Sequence, residues 1–153
     1  MSLFSFFTKK QYFTAEQQLQ LVEAINEAEK NTSGEVRVFV EGKCKYMDAV
    51  DRAREIFVSL QMDKTKDRNA VLLYIAVKDK QMAVFADEGI YQRLGKEYWN
   101  NQVNKIIAEF RNDNHTQGIC TIVKDIGEAL KAEFPYDKVG DKNELPDEII
   151  FGH

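Results

Sequence analysis

Two cysteines in 153 residues, Cys44 and Cys120, are too few and too far apart for a CxxC pair or a four-ligand zinc site. They read as buried or idle thiols of a reducing compartment, so a cytoplasmic location is expected. Basic excess is missing as well. The formal net charge of −4 excludes a broad phosphate-binding face, and no nucleic-acid partner is expected. No run approaches the roughly 20 apolar residues of a membrane span. The apolar N-terminus around Leu3, Phe6 and Phe7 is too short for a signal peptide, and Lys9 and Lys10 follow it instead of preceding it. It is expected to dock on the domain; a weak membrane-surface contact is the alternative for such Phe-Lys composition. Walker A, GxSxG, HExxH and GxGxxG patterns are all absent, and Cys44-Lys45 lacks the following loop of a cysteine phosphatase. His115 is the only internal histidine, placed where a cap-region surface residue is ordinary. What remains, with 44% hydrophobic and 30% charged residues, is one soluble globular domain with no feature that calls for an oligomer, so a monomer is expected.

Thr14-Ala15-Glu16-Gln17 has the form of a capping box, and the helix it starts carries Leu21, Val22, Ile25 and Ala28 on one face. Asn31 to Gly34 breaks that helix, and Glu35 to Val40 alternates as a strand. A second helix spans about 47–60, with Ala49, Val50, Ala53, Ile56 and Phe57 inward. Ala70 to Val77 is continuously apolar, as in a strand covered on both faces. It turns at Lys78–Gln81 into a return strand, Met82–Ala86. Tyr91–Leu94 forms a helical turn. A long helix follows over about 96–111, burying Trp99, Val103, Ile106, Ile107 and Phe110; Asn112–Asn114 offers caps for another that runs to Phe134 and Pro135. The order predicts an α/β fold, a three-layer α/β/α sandwich with a small mixed central sheet and helices on both faces. Residues 13–135 form the domain, 1–12 an extension, and 136–153 a tail extended over the surface.

If the first and central strands are parallel, they begin at the edge of the sheet where the hairpin's return strand ends. Glu35, the loop Asp63 to Asn69, and Asp87-Glu88 then converge from three parts of the chain. With the turn centred on Asp79 and Lys80, facing residues have numbers that add to about 159, which sets Asp87 near Leu72 and makes the following loops cross. Carboxylates gathered this way repel unless a cation or basic groups neutralise them. Asp63, Thr65, Asp67 and Asn69 present oxygens at alternate positions, as hard cations require; an irregular loop pair suits calcium better than magnesium. The loop is not an EF-hand, whose sixth and twelfth positions fall on Arg68 and Tyr74. Lys64, Lys66 and Arg68 support the competing view of a solvated loop paired internally.

Ser33-Gly34-Glu35-Val36, the run from Met62 through Thr65 to Arg68-Asn69-Ala70-Val71-Leu72, Ala86-Asp87-Glu88-Gly89-Ile90 with Trp99 beyond, and Asn143-Glu144-Leu145-Pro146-Asp147-Glu148 together resemble the TPM domain family. That family includes thylakoid-lumen proteins of photosystem repair and a membrane-anchored receptor subunit. The resemblance implies the same sandwich and divalent-cation sites at crossing loops, and carries Asp67, Asn69, Asp87 and Glu88 over as ligands; Asp63, Thr65 and Glu35 rest on the geometry above. Many members have a signal peptide and a C-terminal membrane helix; this sequence has neither, so their locations and membrane roles do not transfer. Part of the family is assigned acid-phosphatase activity, for which Arg68 is the available phosphate clamp, although no acid stands out to protonate a leaving group. Three functions follow: a calcium-type binding domain acting through a protein partner, a metal-dependent phosphatase, or a structural interaction module. Tyr91, Tyr98 and Trp99 read as core, with a place beside the cation as the alternative.

Overall fold

The structure, a computed structural model, describes residues 12–111, 115–136 and 149–152. The apolar N-terminus, the Asn112–Asn114 caps, the Phe110 side chain and the motif from Asn143 to Glu148 lie outside the described residues. Four strands form one mixed sheet in the order β3-β2-β1-β4. β1 (Glu35–Glu41) runs parallel to β2 (Ala70–Ala76), β2 is antiparallel to β3 (Gln81–Ala86), and β4 (Ile149–Phe151) lies parallel on the other side of β1. α2 (Ala49–Ser59) packs on one face with Ala70, Leu72 and Tyr74. α1 (Ala15–Glu29), α4 (Lys96–Arg111) and α5 (His115–Glu133) cover the other, over Val36, Val38, Val40, Val71, Leu73 and Ile75. α3 (Glu88–Leu94) links β3 to α4. The expected three-layer α/β/α sandwich is the fold.

Local chemistry starts and stops these elements. The Thr14 hydroxyl accepts from the Gln17 amide at 3.1 Å while Gln17 Oε1 accepts from the Thr14 amide at 2.8 Å, a complete capping box. Asp48 caps α2 in the same manner. At the far end of α5 the Thr32 hydroxyl lies 3.0 Å from the Leu130 carbonyl and 2.5 Å from that of Phe134, tying the helix terminus beside Pro135 to the entry of β1.

Four sequence expectations shift. The tail does not simply cross the surface: Ile149–Phe151 is a sheet strand, and Ile149 is fully buried. Three residues next to a chain terminus carry too little pattern to announce a strand. β1 lies between β2 and β4 with helices over both faces of the sheet, and all seven of its residues are buried, including Glu35, Arg37 and Glu41, although their alternation reads as a half-solvated strand. Val50 and Ile107 are exposed; at about 100° per residue Ile107 sits well off the α4 stripe of Trp99, Gln102 and Ile106, whereas Val50 shares the angle of Phe57 but is left uncovered in the first turn of α2. Finally, the hairpin register is shifted by two residues from the expected one, with the turn spread over residues 77–80. Ala76 faces Gln81 and Val71 faces Ala86, because β2 stays bonded to the chain after β1 through Val77 and Lys78, and Lys80 makes the reversal at a left-handed φ of 52°.

Candidate functional site

The shifted register has a direct consequence at the opposite sheet edge. Asp87 meets Ala70 instead of Leu72, its amide donating to the Ala70 carbonyl at 2.9 Å. That sets Asp87, Glu88 and Gly89 against the residues that precede β2. The Ile90 amide donates to the Arg68 carbonyl at 3.3 Å, and a methyl group on Gly89 would fall onto the Asp67 carbonyl and 2.6 Å from that of Arg68. The loops do cross, and only a residue without Cβ lets the backbones approach so closely.

The loop before β2 begins with a turn of 3-10 helix, Met62–Lys64, entered through Gln61 at a left-handed φ of 58°. Met62 is buried and anchors the turn. Thr65 and Asn69 are buried as well, and the Thr65 hydroxyl accepts from the Asn69 amide at 3.3 Å. Asn69 Nδ2 donates to Ser33 Oγ at 3.0 Å, and Ser33 Oγ donates to Asp67 Oδ2 at 3.3 Å. The Glu35 amide donates to the Asn69 carbonyl at 3.4 Å, so the start of β1 joins the same network. Ser33 was quoted in the sequence only as part of a motif. Its bridging role depends on a contact across more than thirty positions that no local pattern announces.

Arg68 organises the acidic side of the site. Its Nε donates to Asp87 Oδ2 at 2.7 Å and its Nη2 to Asp87 Oδ1 at 2.8 Å, a two-pronged pair; Nη1 reaches Glu88 Oε1 at 3.1 Å. The hydrogen bonds Arg68 donates to Asp87 raise the guanidinium pKa above its ordinary value; desolvation opposes the rise, and the charges of Asp87, Glu88 and Asp63 add to it. Asp87 and Glu88 thus share one cation, and the charge of Asp63 acts on it as well. Asp87 is buried and also caps α3, its Oδ1 accepting from the Glu88 amide at 2.8 Å. Lys64 stands 3.9 Å from Asp63, a loose exposed pair. Among the described residues, no three His, Cys, Asp or Glu side chains are grouped so as to hold a metal ion by themselves.

The TPM domain family model matches residues 7–129. The chain belongs to the TPM domain family. The BA42 protein of the psychrophilic bacterium Bizionia argentinensis, solved by NMR, is 40% identical with a TM-score of 0.85 over 94% of this chain and 97% of that one. The N-terminal domain of the cg2496 protein from Corynebacterium glutamicum, with a TM-score of 0.63 over 93% of this chain and 85% of that one, is 7% identical and shares the fold alone. No curated protein matches the chain.

In this TPM domain the residues named from the sequence lie on the elements that meet at this sheet edge: Glu35 starts β1, Asp63 and Thr65 lie in the loop before β2, Asp67 and Asn69 are bonded through Ser33, and Asp87 and Glu88 pair with Arg68. Arg68, taken from the sequence as a spare phosphate clamp, is instead engaged with Asp87 and Glu88. Trp99 is buried in the core, Tyr91 stacks on it with ring centroids 6.4 Å apart while remaining half-exposed, and Tyr98 meets it edge-on at 4.9 Å. His115 is the first residue of α5 and half-buried. Both cysteines are free thiols, Cys44 buried and Cys120 half-buried. No helix among the described residues is long and apolar enough to cross a membrane.

Proposed function

We propose that this TPM domain binds a divalent cation of the calcium type at the crossing loops and that the ion, by ordering them, sets a surface for a protein partner. The observation that carries the reading is the gathering of carboxylates at one edge: Asp87 and Glu88 share the Arg68 guanidinium, Asp63 is held by a loose, exposed pair with Lys64, and Asp67 lies on the adjoining Ser33–Asn69 network. The donors fit a hard cation in kind, being carboxylate, amide and hydroxyl oxygens with backbone carbonyls of Asp67 and Arg68 at the crossing. Without three grouped carboxylates the coordination is completed by neutral oxygens and water, as calcium accepts and as magnesium, with its stricter octahedron, does less readily. Asp67, Asn69, Asp87 and Glu88 hold the ion; Asp63, Thr65 and Glu35 support the loops from behind. The Arg68 side chain is partly exposed, so it is free to turn outward as a doubly charged ion takes over its electrostatic role. Tyr91, half-exposed on α3 next to the loops, belongs to the partner surface.

The test is an NMR titration of chelator-stripped protein with calcium and then magnesium. Amides of residues 63–69 and 86–91 shift first and saturate together. Shifts confined to helix termini elsewhere, or no shift at millimolar calcium, contradict the proposal.

A further inference from the structure

β1 is flanked by a parallel strand on each side, β2 on one and β4 on the other. In open α/β sheets ligands bind in crevices outside the carboxyl ends of the strands. Here the crevice is a cleft of about 540 Å³ at the ends of β1 and β4, on the edge opposite the crossing loops. Phe39, Met47 and Phe151 supply apolar walls, and Lys43, Lys45 and Arg52 supply cationic groups.

The floor is an ionic network built on the buried Glu41. Glu41 is 4% exposed, and Arg52 grips it through Nε and Nη2, both at 2.9 Å, while Tyr74 donates its hydroxyl to the same carboxylate. Arg52 Nη1 also bonds Glu55 at 2.5 Å. A guanidinium has five N–H donors, so two of them remain beyond these three bonds. Lys43 and Lys45 are exposed and make no ion pair among the described residues. Three cationic side chains therefore outnumber the lining carboxylates Glu41 and Glu55, on a chain whose net charge is −4. At the mouth, Tyr46 is 98% exposed at a left-handed φ of 70°. Such a backbone costs about 1 kcal/mol or more, and the side chain packs on none of the described residues to offset it.

We propose that this cleft binds a small organic oxyanion, a phosphate or carboxylate head group carried on an apolar body. The head group meets the two remaining Arg52 donors and the lysine ammonium groups; the body lies against Phe39 and Met47, with Tyr46 closing over it. The proposal is independent of the cation site, which lies at the other edge of the sheet.

The experiment is an NMR titration, in the presence of chelator, with phenylphosphonate, benzoate and inorganic phosphate in separate arms. Amides of residues 43–48, Arg52 and Gly152 are expected to shift with both aromatic anions. The tighter of those two identifies the head group, and inorganic phosphate binds more weakly than either. The exposed double variant Lys43→Gln/Lys45→Gln, which leaves the buried network intact, is expected to weaken binding about five-fold, from two ammonium contacts of a few tenths to 1 kcal/mol each. No shift by about 10 mM ligand, a weak limit on the affinity scale, overturns the proposal. So do shifts confined to the crossing loops, or equal binding of inorganic phosphate.

Discussion

Replacing Gly89 by alanine separates two views of the crossing loops by the sign of its effect. Gly89 is the second residue of α3 and has no left-handed torsion, so helix propensity alone predicts that alanine stabilises by about 1 kcal/mol. The packing predicts the reverse. A methyl group there strikes the Asp67 carbonyl and lies 2.6 Å from the Arg68 carbonyl, both backbone atoms that cannot rotate aside. Relieving such overpacking costs roughly 1–3 kcal/mol. Parting the loops also stretches the Ile90–Arg68 hydrogen bond, worth about 1 kcal/mol. With the propensity gain subtracted, the net loss is about 2 kcal/mol, or roughly 4–8 °C in Tm for a domain of this size. Urea denaturation followed by circular dichroism measures the first number and calorimetry the second. A Gly89→Ala protein as stable as the parent, or more so, refutes the close crossing and with it the placement of Asp87 beside Arg68.

Asp87→Ala removes the α3 cap and is expected to cost about 1–2 kcal/mol in urea denaturation, whereas Asp87→Asn keeps a capping oxygen and costs less; equal losses argue against the cap. Calcium at a hundredfold excess over Kd is expected to stabilise by about 2.7 kcal/mol, a gain that fades toward about pH 4 as the carboxylates protonate; a melting temperature indifferent to chelator contradicts this. Burial, the hydrogen bond to Glu41 and further contacts raise the Tyr74 pKa above its usual value, and burial and then Asp125 push Tyr98 up to about 12. An unfolded tyrosine loses its proton near pH 10, so both groups stabilise fully below about pH 10 and that contribution falls as pH rises toward their folded values. Ultraviolet titration of tyrosinate is expected to show these two late; all six tyrosines ionising together near pH 10 contradicts the burial of their hydroxyls.

The capping box at Thr14, the apolar run of β2 and the stripe of α1 were legible in the sequence because each is a local signal, complete within one turn or one strand. Convergence of the acidic loops followed from strand direction alone, since a parallel crossover and a hairpin return leave only one edge at which their ends meet. Family membership rested on four short motifs in order, and their order survives without knowledge of any contact. Other features were decided only in three dimensions. The hairpin register depended on β1 holding the end of β2 through Val77 and Lys78, and a shift of two residues moved Asp87 from Leu72 to Ala70 without changing the alternation of side chains that a sequence displays. Arg68 became the partner of Asp87 and Glu88 because its loop crosses theirs; composition shows a basic residue among acidic ones but not which carboxylate it grips. β4, three residues long, owes its place to the unpaired side of β1, and the cleft at the ends of these two strands exists only once that pairing closes. Local chemistry determines elements and their directions, whereas register, ion pairing and the terminal strand are set by contacts between distant segments, whose energies are shared across the whole packed domain.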